Sequence, residues 1–124
     1  MARLINLKTF KDTRGSLTVI ERVIPFEIKR IFYVNDPGQF KSNHKRMKQA
    51  VICLKGSCVI ANRTGTEEQH FVLNTADQCL LLAHEDRYEM PEITDDAILM
   101  VLASELFELE ERVNEPDQYE LSLT

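Results

Sequence analysis

Residues that favour turns divide this chain at short intervals, and this spacing constrains the fold more than any other feature. The turn-forming clusters are Arg14-Gly15-Ser16, Asp36-Pro37-Gly38, Lys55-Gly56-Ser57, Thr64-Gly65-Thr66, Asn74–Asp77 and Thr94–Asp96. Between them lie runs rich in β-branched, aromatic and other apolar residues: Leu17–Glu21, Ile28–Val34, Ala50–Leu54, Cys58–Ala61, His70–Leu73, Gln78–Ala83 and Ala97–Ala103. Short apolar runs between closely spaced turns are typical of antiparallel sandwiches and barrels. The sequence therefore predicts an all-β fold.

The C-terminal segment is the one part of the chain with a helical pattern. In Glu105–Val113, Leu106, Leu109 and Val113 recur at helical spacing, although an irregular continuation of the last strand fits nearly as well. The length of 124 residues corresponds to one domain. We therefore expect a single domain over residues 1–124, in which residues 105–124 form a short acidic tail.

Charge is distributed unevenly along the chain. Residues 1–50 contain eleven Lys and Arg against four Asp and Glu, whereas residues 51–124 contain four against sixteen. The net charge of −5 argues against nucleic-acid binding. The basic N-terminal half could still form a positively charged face that binds a small anion. If the two halves interleave in the folded protein, however, their charges mix and no such face exists.

The apolar segments and the cysteines indicate the cellular compartment of the protein. The longest apolar run, Ala97–Ala103, is far shorter than the ~18–20 residues that span a bilayer. The first residues lack the apolar core and cleavage site of a signal peptide. Three cysteines without CxxC spacing are typical of buried thiols in a reducing compartment. We expect a cytoplasmic protein that does not associate with membranes.

One histidine-containing segment has the spacing of a metal-binding motif without its ligands. His44 is followed after four residues by Gln49 and after six more by Gly56. This spacing resembles the first cupin motif. Relative to that motif, Ser42 stands at the position of the first histidine and Gln49 at the position of the acid. One imidazole with a hydroxyl and a neutral amide is a poor ligand set for a divalent ion. No metal and no other cofactor is therefore expected.

Further strings follow one another in the order and spacing of one protein family. They are Arg14–Leu17 (RGSL), Ile24–Tyr33 (IPFEIKRIFY), Gln49–Ser57 (QAVICLKGS) and Val101–Ser104 (VLAS). Over roughly residues 5–104 the chain resembles the WxcM-like sugar-nucleotide cupins, typified by dTDP-4-keto-6-deoxyglucose 3,4-ketoisomerases. The resemblance implies an RmlC-like jelly-roll barrel and a homodimer with exchanged strands. It also implies metal-free isomerisation of a dTDP-linked sugar in deoxysugar and surface-polysaccharide biosynthesis.

The implied reaction requires few chemical groups. Moving a ketone from C4 to C3 needs a base for the C3 proton and donors for the enediolate oxygen. By position, the resemblance implies that His44 is the base, Tyr33 a hydroxyl donor and Arg14 a contact of the nucleotide diphosphate. Arg30 and Gln49 lie in the same strings, where they either bind substrate or are structural.

Each assignment has a structural alternative. His44, beside two cations, is also compatible with a solvated loop, Tyr33 with a core aromatic, and Arg14 with a brace for its turn. Of the other histidines, His70 is predicted on the outer face of a strand. His84 is a candidate partner of His44 at the barrel mouth.

Several positions differ from the family pattern where the sugar would bind. Ser42 replaces the first histidine, and Arg87 and Tyr88 stand where the family has Trp-His. We expect these three residues to line an altered sugar pocket. Losing one member of an acid–base pair lowers rates by about 10²–10⁴. A second hypothesis is therefore an impaired cupin that binds a nucleotide sugar or partners an active paralogue, and a third is a scaffold subunit.

Overall fold

All regular secondary structure in the described part of the chain is β-strand. The computed structural model describes residues 2–35, 48–83 and 87–104. The strands are β1 Arg3–Asn6, β2 Lys8–Asp12, β3 Gly15–Val19, β4 Arg30–Asn35, β5 Gln49–Lys55, β6 Cys58–Thr64, β7 Glu67–Leu73, β8 Gln78–Leu82, β9 Arg87–Ile93 and β10 Ile98–Ala103. The predicted all-β class is confirmed. The tail 105–124, with its candidate helix, lies outside the described residues.

The strands form three antiparallel sheets whose neighbours are mostly distant in sequence. The largest has the order β1-β8-β5-β10-β4, a second has the order β7-β6-β9, and β2 pairs with β3 as a separate hairpin. Because β5 pairs with both β8 and β10, the five-stranded sheet joins strands that are far apart in the sequence. None of the described segments is a helix that could cross a membrane.

The five-stranded sheet is apolar on both faces. Its inner face packs against the three-stranded sheet in a core that includes Val51, Cys53, Cys58, Ile60, Leu73, Leu80, Leu82, Tyr88, Leu99 and Val101. Its outer face carries a second cluster of Leu7, Ala50, Ile52, Cys79, Leu81 and Leu102, against which Ile20, Ile24 and Phe26 pack. Burial on both faces explains why β5 and β10 are continuous apolar runs rather than alternating ones.

Strand β9 is irregular, and the irregularity sets the position of Tyr88. It lies at the edge of the three-stranded sheet and contains Pro91, which has no N–H for a ladder hydrogen bond. The pairing of β9 with β6 shifts register between Val59 and Ala61. Beyond this shift Tyr88 lies opposite Asn62, and its side chain is buried.

Candidate active site

The inner face of the five-stranded sheet changes from apolar to polar along its strands. Three successive inner rows across β4, β10 and β5 are Val34–Leu99–Cys53, Phe32–Val101–Val51 and Arg30–Ala103–Gln49. The first two rows are entirely apolar. The third places a guanidinium and an amide on either side of a small alanine, so this end of the sheet is polar inside.

The three-stranded sheet changes in the same direction. Its inner residues across β7, β6 and β9 run from Leu73, Cys58 and Ile93, through Phe71 and Ile60, to Gln69, Asn62 and Tyr88. The last of these rows consists of two amides and a phenol. Asn62 is 1% exposed and Tyr88 6% exposed, so these polar groups face the interior.

The polar rows of the two sheets meet at a buried hydrogen bond. The hydroxyl of Tyr88 donates to Oε1 of Gln49 over 3.1 Å. Gln49 is 3% exposed, so both partners are shielded from solvent. The same end of the barrel is therefore polar in both sheets; we call the set Arg30, Gln49, Asn62, Gln69 and Tyr88 the polar end.

The chemistry of the polar end suits a neutral, hydroxyl-rich ligand. Three amides supply both donors and acceptors, and Arg30 supplies the single formal charge of the set. The Arg30 guanidinium carbon lies 5.0 Å from the centroid of the Phe32 ring, which holds the cation against the inner wall. No carboxylate belongs to these five residues. A cation among amide donors can stabilise negative charge that develops on a carbonyl oxygen.

Tyr33 does not point into the polar end of its own chain. Side chains alternate along β4, and Phe32 packs against the inner core whereas Tyr33 is 68% exposed. Tyr33 pairs with Met100, which packs on the outer cluster of the sheet. The alternative that Tyr33 is a core aromatic is wrong, because Phe32 occupies the inward position. The role of Tyr33 as a hydroxyl donor stays a prediction.

Arg14 lies at the turn of the β2–β3 hairpin and is paired with Asp12. Its Nη2 and Nε atoms donate to Oδ2 of Asp12 over 2.7 and 3.2 Å, and its backbone N–H donates to Oδ1 over 2.8 Å. These hydrogen bonds lower the pKa of the Asp12 carboxyl. The Arg14 side chain is still 88% exposed. It therefore braces its turn, as the alternative proposes, and keeps donors that face solvent.

A family model and several relatives match the chain over nearly its whole length. The model of the WxcM-like, C-terminal family (FdtA) matches residues 1–123. The chain belongs to this family. A TDP-4-oxo-6-deoxy-alpha-D-glucose-3,4-oxoisomerase from Aneurinibacillus thermoaerophilus is 33% identical, over 94% of this chain and 88% of that protein.

Two solved structures of 3,4-ketoisomerases share the fold. WlaRB, a TDP-quinovose 3,4-ketoisomerase from Campylobacter jejuni, has a TM-score of 0.78 and 34% identity over 86% of this chain and 87% of that one. QdtA, a sugar 3,4-ketoisomerase from Thermoanaerobacterium thermosaccharolyticum in complex with TDP, has a TM-score of 0.78 and 32% identity over 98% and 95%. The predicted family and jelly-roll barrel are confirmed. The names of the relatives favour the enzymatic hypothesis over an impaired cupin.

Four residues predicted for this WxcM-like site or its mouth lie wholly or partly outside the described structure. Ser42, His44 and His84 fall in undescribed segments. Arg87 begins β9, and its backbone alone is described. In the sequence, His44 precedes Gln49, the first residue of β5, by five residues.

The three cysteines, which are possible metal ligands, are not part of the polar end. Cys53, Cys58 and Cys79 are buried thiols, as predicted. A hydrogen bond with Cys58 lowers the pKa of Cys53, whereas that bond and burial raise the pKa of Cys58. Within the three described ranges, no group of three or more His, Cys, Asp or Glu side chains could hold a metal ion. The absence of a metal requirement stays a prediction.

Two residues of the polar end are not predicted from the sequence. Asn62 and Gln69 flank the Thr64-Gly65-Thr66 turn and lie opposite each other on β6 and β7. On each strand they continue, at every second residue, an inward series that begins with apolar side chains. That alternation was visible in the sequence, but only the pairing with β9 shows that both amides share a face with Tyr88.

Proposed function

We propose that this protein is a 3,4-ketoisomerase that acts on a dTDP-linked 4-keto-6-deoxyhexose in deoxysugar biosynthesis. The observation that carries the proposal is the buried polar end, where Gln49 and Tyr88 are hydrogen-bonded within a barrel shared with named 3,4-ketoisomerases. The reaction is an internal rearrangement, so it needs a base, donors for an oxyanion and a site for the diphosphate. Three buried free thiols are consistent with a reducing cytoplasm.

The bonds change in two steps. His44 removes the C3 proton of the sugar, and the electron pair of the C3–H bond forms a double bond between C3 and C4 while negative charge moves to O4. Transfer of the O3 proton to O4 and delivery of a proton to C4 then give the 3-ketone. Atoms and electrons balance without a redox partner, and a histidine base of near-neutral pKa suits both proton transfers.

The polar end stabilises the enediolate. The hydrogen bond from Tyr88 makes Oε1 of Gln49 an acceptor, which fixes the orientation of the amide and leaves Nε2 as its donor end. Arg30, two strands away in the same row with Ala103 between, places positive charge on the same inner wall. Fixed donors in a dry site stabilise developing charge far better than water does. Ser42 and Arg87 complete the sugar pocket in this proposal.

Arg14 binds the diphosphate of the nucleotide in this proposal. Its exposed guanidinium is oriented by Asp12, and bidentate contacts from arginine suit phosphate oxygens. Asp12 also partly neutralises Arg14, so a diphosphate must compete with that carboxylate or share the guanidinium with it.

We also propose that the protein is a homodimer with exchanged strands. The β2–β3 hairpin pairs only with itself among the described strands, and its opposed residues Phe10 and Leu17 are 53% and 61% exposed. Strand β4 is a sheet edge, and its outward residues Ile31 and Tyr33 are 59% and 68% exposed. An unpaired edge beside exposed apolar side chains suits strand addition from a second subunit.

The isomerase proposal is tested by proton exchange. Incubation with dTDP-4-keto-6-deoxyglucose in D₂O should yield the 3-keto product labelled at C4 and, through the reverse reaction, substrate labelled at C3, as measured by NMR. His44→Asn should abolish labelling, whereas His70→Asn, on an exposed strand face, should leave it unchanged. Absence of labelling by the wild-type protein would contradict the proposal. Binding of the sugar nucleotide without labelling would instead favour the impaired cupin.

The dimer proposal is tested by sedimentation equilibrium. Ile31→Lys introduces a charge on the exposed outer face of β4, and we expect it to yield monomers. Val72→Lys is the matched control, because Val72 is 52% exposed on the other sheet. A monomeric wild type, or an equal effect of both variants, would overturn the proposal.

A further inference from the structure

Gln69 is a half-buried amide that the fold alone does not explain. Its Oε1 atom is buried and has no hydrogen-bond partner in the described parts of the chain. The residues on either side, Glu68 and His70, point outward and pair with each other over 3.1 Å. Gln69 therefore points inward from β7 by strand alternation, and it ends the row that begins at Tyr88.

Such an oxygen is unfavourable for stability. A buried acceptor without a donor loses its hydrogen bonds to water and gains none in return. An unbranched apolar side chain of the same length would fill the position without that loss. Residues that lower stability in this way are characteristic of sites where a ligand supplies the missing partner.

The position of Gln69 limits what this partner is. Gln69 lies two strands from Tyr88, so their backbones are separated by about 10 Å at the usual strand spacing. Both residues belong to the same sheet, and a hexose ring with its hydroxyls can lie across the strand between them. The partner must donate a hydrogen bond, and a sugar hydroxyl does so without bringing a charge into the buried row.

We propose that Gln69 is a sugar-binding residue whose Oε1 accepts a hydrogen bond from a hydroxyl of the hexose, in the same inner row of the three-stranded sheet as Tyr88. This proposal rests on the proposed function and adds to it a contact on the three-stranded sheet. Gln69 takes no part in proton transfer. It contributes to affinity for the sugar and not to affinity for the nucleotide.

The test compares two ligands and three variants by calorimetric titration. Gln69→Met should bind dTDP within about twofold of the wild type but bind dTDP-4-keto-6-deoxyglucose about threefold to tenfold more weakly, as expected for one lost neutral hydrogen bond. Gln69→Leu should behave in the same way. The ligand-free variants should melt at the wild-type temperature or a few degrees above it. The matched control is His70→Met, on the outer face of the same strand, and it should change neither affinity.

Each other outcome contradicts a specific part of the proposal. If Gln69→Met binds both ligands like the wild type, or loses affinity for both equally, Gln69 does not contact the sugar. If both apolar variants melt well below the wild type, Gln69 has a structural role and the proposal fails. Turnover by the wild type with unchanged sugar affinity in Gln69→Met overturns this proposal alone. A wild type that neither turns over the sugar nucleotide nor binds it better than dTDP overturns both proposals.

Discussion

The phenol of Tyr88 on β9 donates a 3.1 Å hydrogen bond to the side-chain oxygen of Gln49 on β5. This bond joins the two sheets at their polar end, where the apolar packing that holds the rest of the barrel stops. Both residues are nearly inaccessible to solvent, so the bond lies in a low-dielectric environment. Leaving one of its polar groups unpaired there costs more free energy than it would in water.

Removing this hydroxyl should destabilise the protein. Tyr88→Phe takes a donor away from a buried amide oxygen, and we expect the free energy of unfolding to fall by about 1–3 kcal/mol. Urea denaturation measures the change. Tyr33→Phe is the matched control, because the Tyr33 hydroxyl is on an exposed side chain, and it should change stability by less than about 0.5 kcal/mol. Equal effects of the two substitutions would show that the buried bond contributes nothing.

Buried Cys79 should make stability fall at alkaline pH. Burial raises the pKa of its thiol from 9.0 to about 11. Between pH 9 and 11 the unfolded chain loses this proton while the folded protein keeps it, so unfolding is increasingly favoured as pH rises. Two pH units correspond to about 3 kcal/mol. Urea denaturation across this range should show a shallower decline for Cys79→Ala than for the wild type; parallel curves would refute the assignment.

Gly56 should be far less tolerant of a side chain than Gly65. Both have positive φ, +74° and +63°, so alanine carries a backbone penalty of about 1 kcal/mol at either position. A methyl group on Gly56 would also lie 2.8 Å from Oδ1 of Asp96 and closer still to Oγ1 of Thr94, whereas the space around Gly65 is open. Gly56→Ala should therefore cost at least about 1 kcal/mol more than Gly65→Ala in urea denaturation. Equal losses would contradict the close approach.

Arg14 should contribute to nucleotide binding in a way that another paired arginine does not. We expect Arg14→Ala to weaken dTDP binding about tenfold and to reduce its salt dependence, because a charge-assisted contact with the diphosphate is lost. Arg63 is the control, since it is 70% exposed and likewise paired with a carboxylate, that of Glu68. Calorimetric titration at two salt concentrations measures both. Similar losses in the two variants would indicate a general charge effect and no site at Arg14.

Strands were predictable where their residues are mostly apolar or β-branched, and not where charged residues or proline interrupt the pattern. The run Gln78–Ala83 anticipated β8 to within one residue, and Ala97–Ala103 did the same for β10. Strands β1, β2 and β9 are not among the predicted runs. In β2 exposed lysines interrupt the apolar pattern, and β9 contains two glutamates and Pro91. An edge strand tolerates these residues because one of its sides needs no ladder partner.

Only some residues of the candidate site could be predicted from the sequence. Gln49 was identified through its position in a family string, and the structure gives it a partner in Tyr88. The resemblance points to Tyr33, but neighbouring residues of a strand face opposite sides, and in the structure Phe32 is the one that packs inward. Gln69 had no family string to mark it. Its place in the site depends on the pairing of β7, β6 and β9.

The sequence by itself determined the β-class, the family and the apolar runs that become the core, because these depend on local composition and on the order of short strings. Only the tertiary structure decided which polar residues share the end of the barrel. Gln49, Asn62, Gln69 and Tyr88 come from four strands, and their proximity is set by strand order, register and a bulge at Pro91. A one-residue change of register would turn each side chain to the opposite face. No local pattern encodes such long-range pairing.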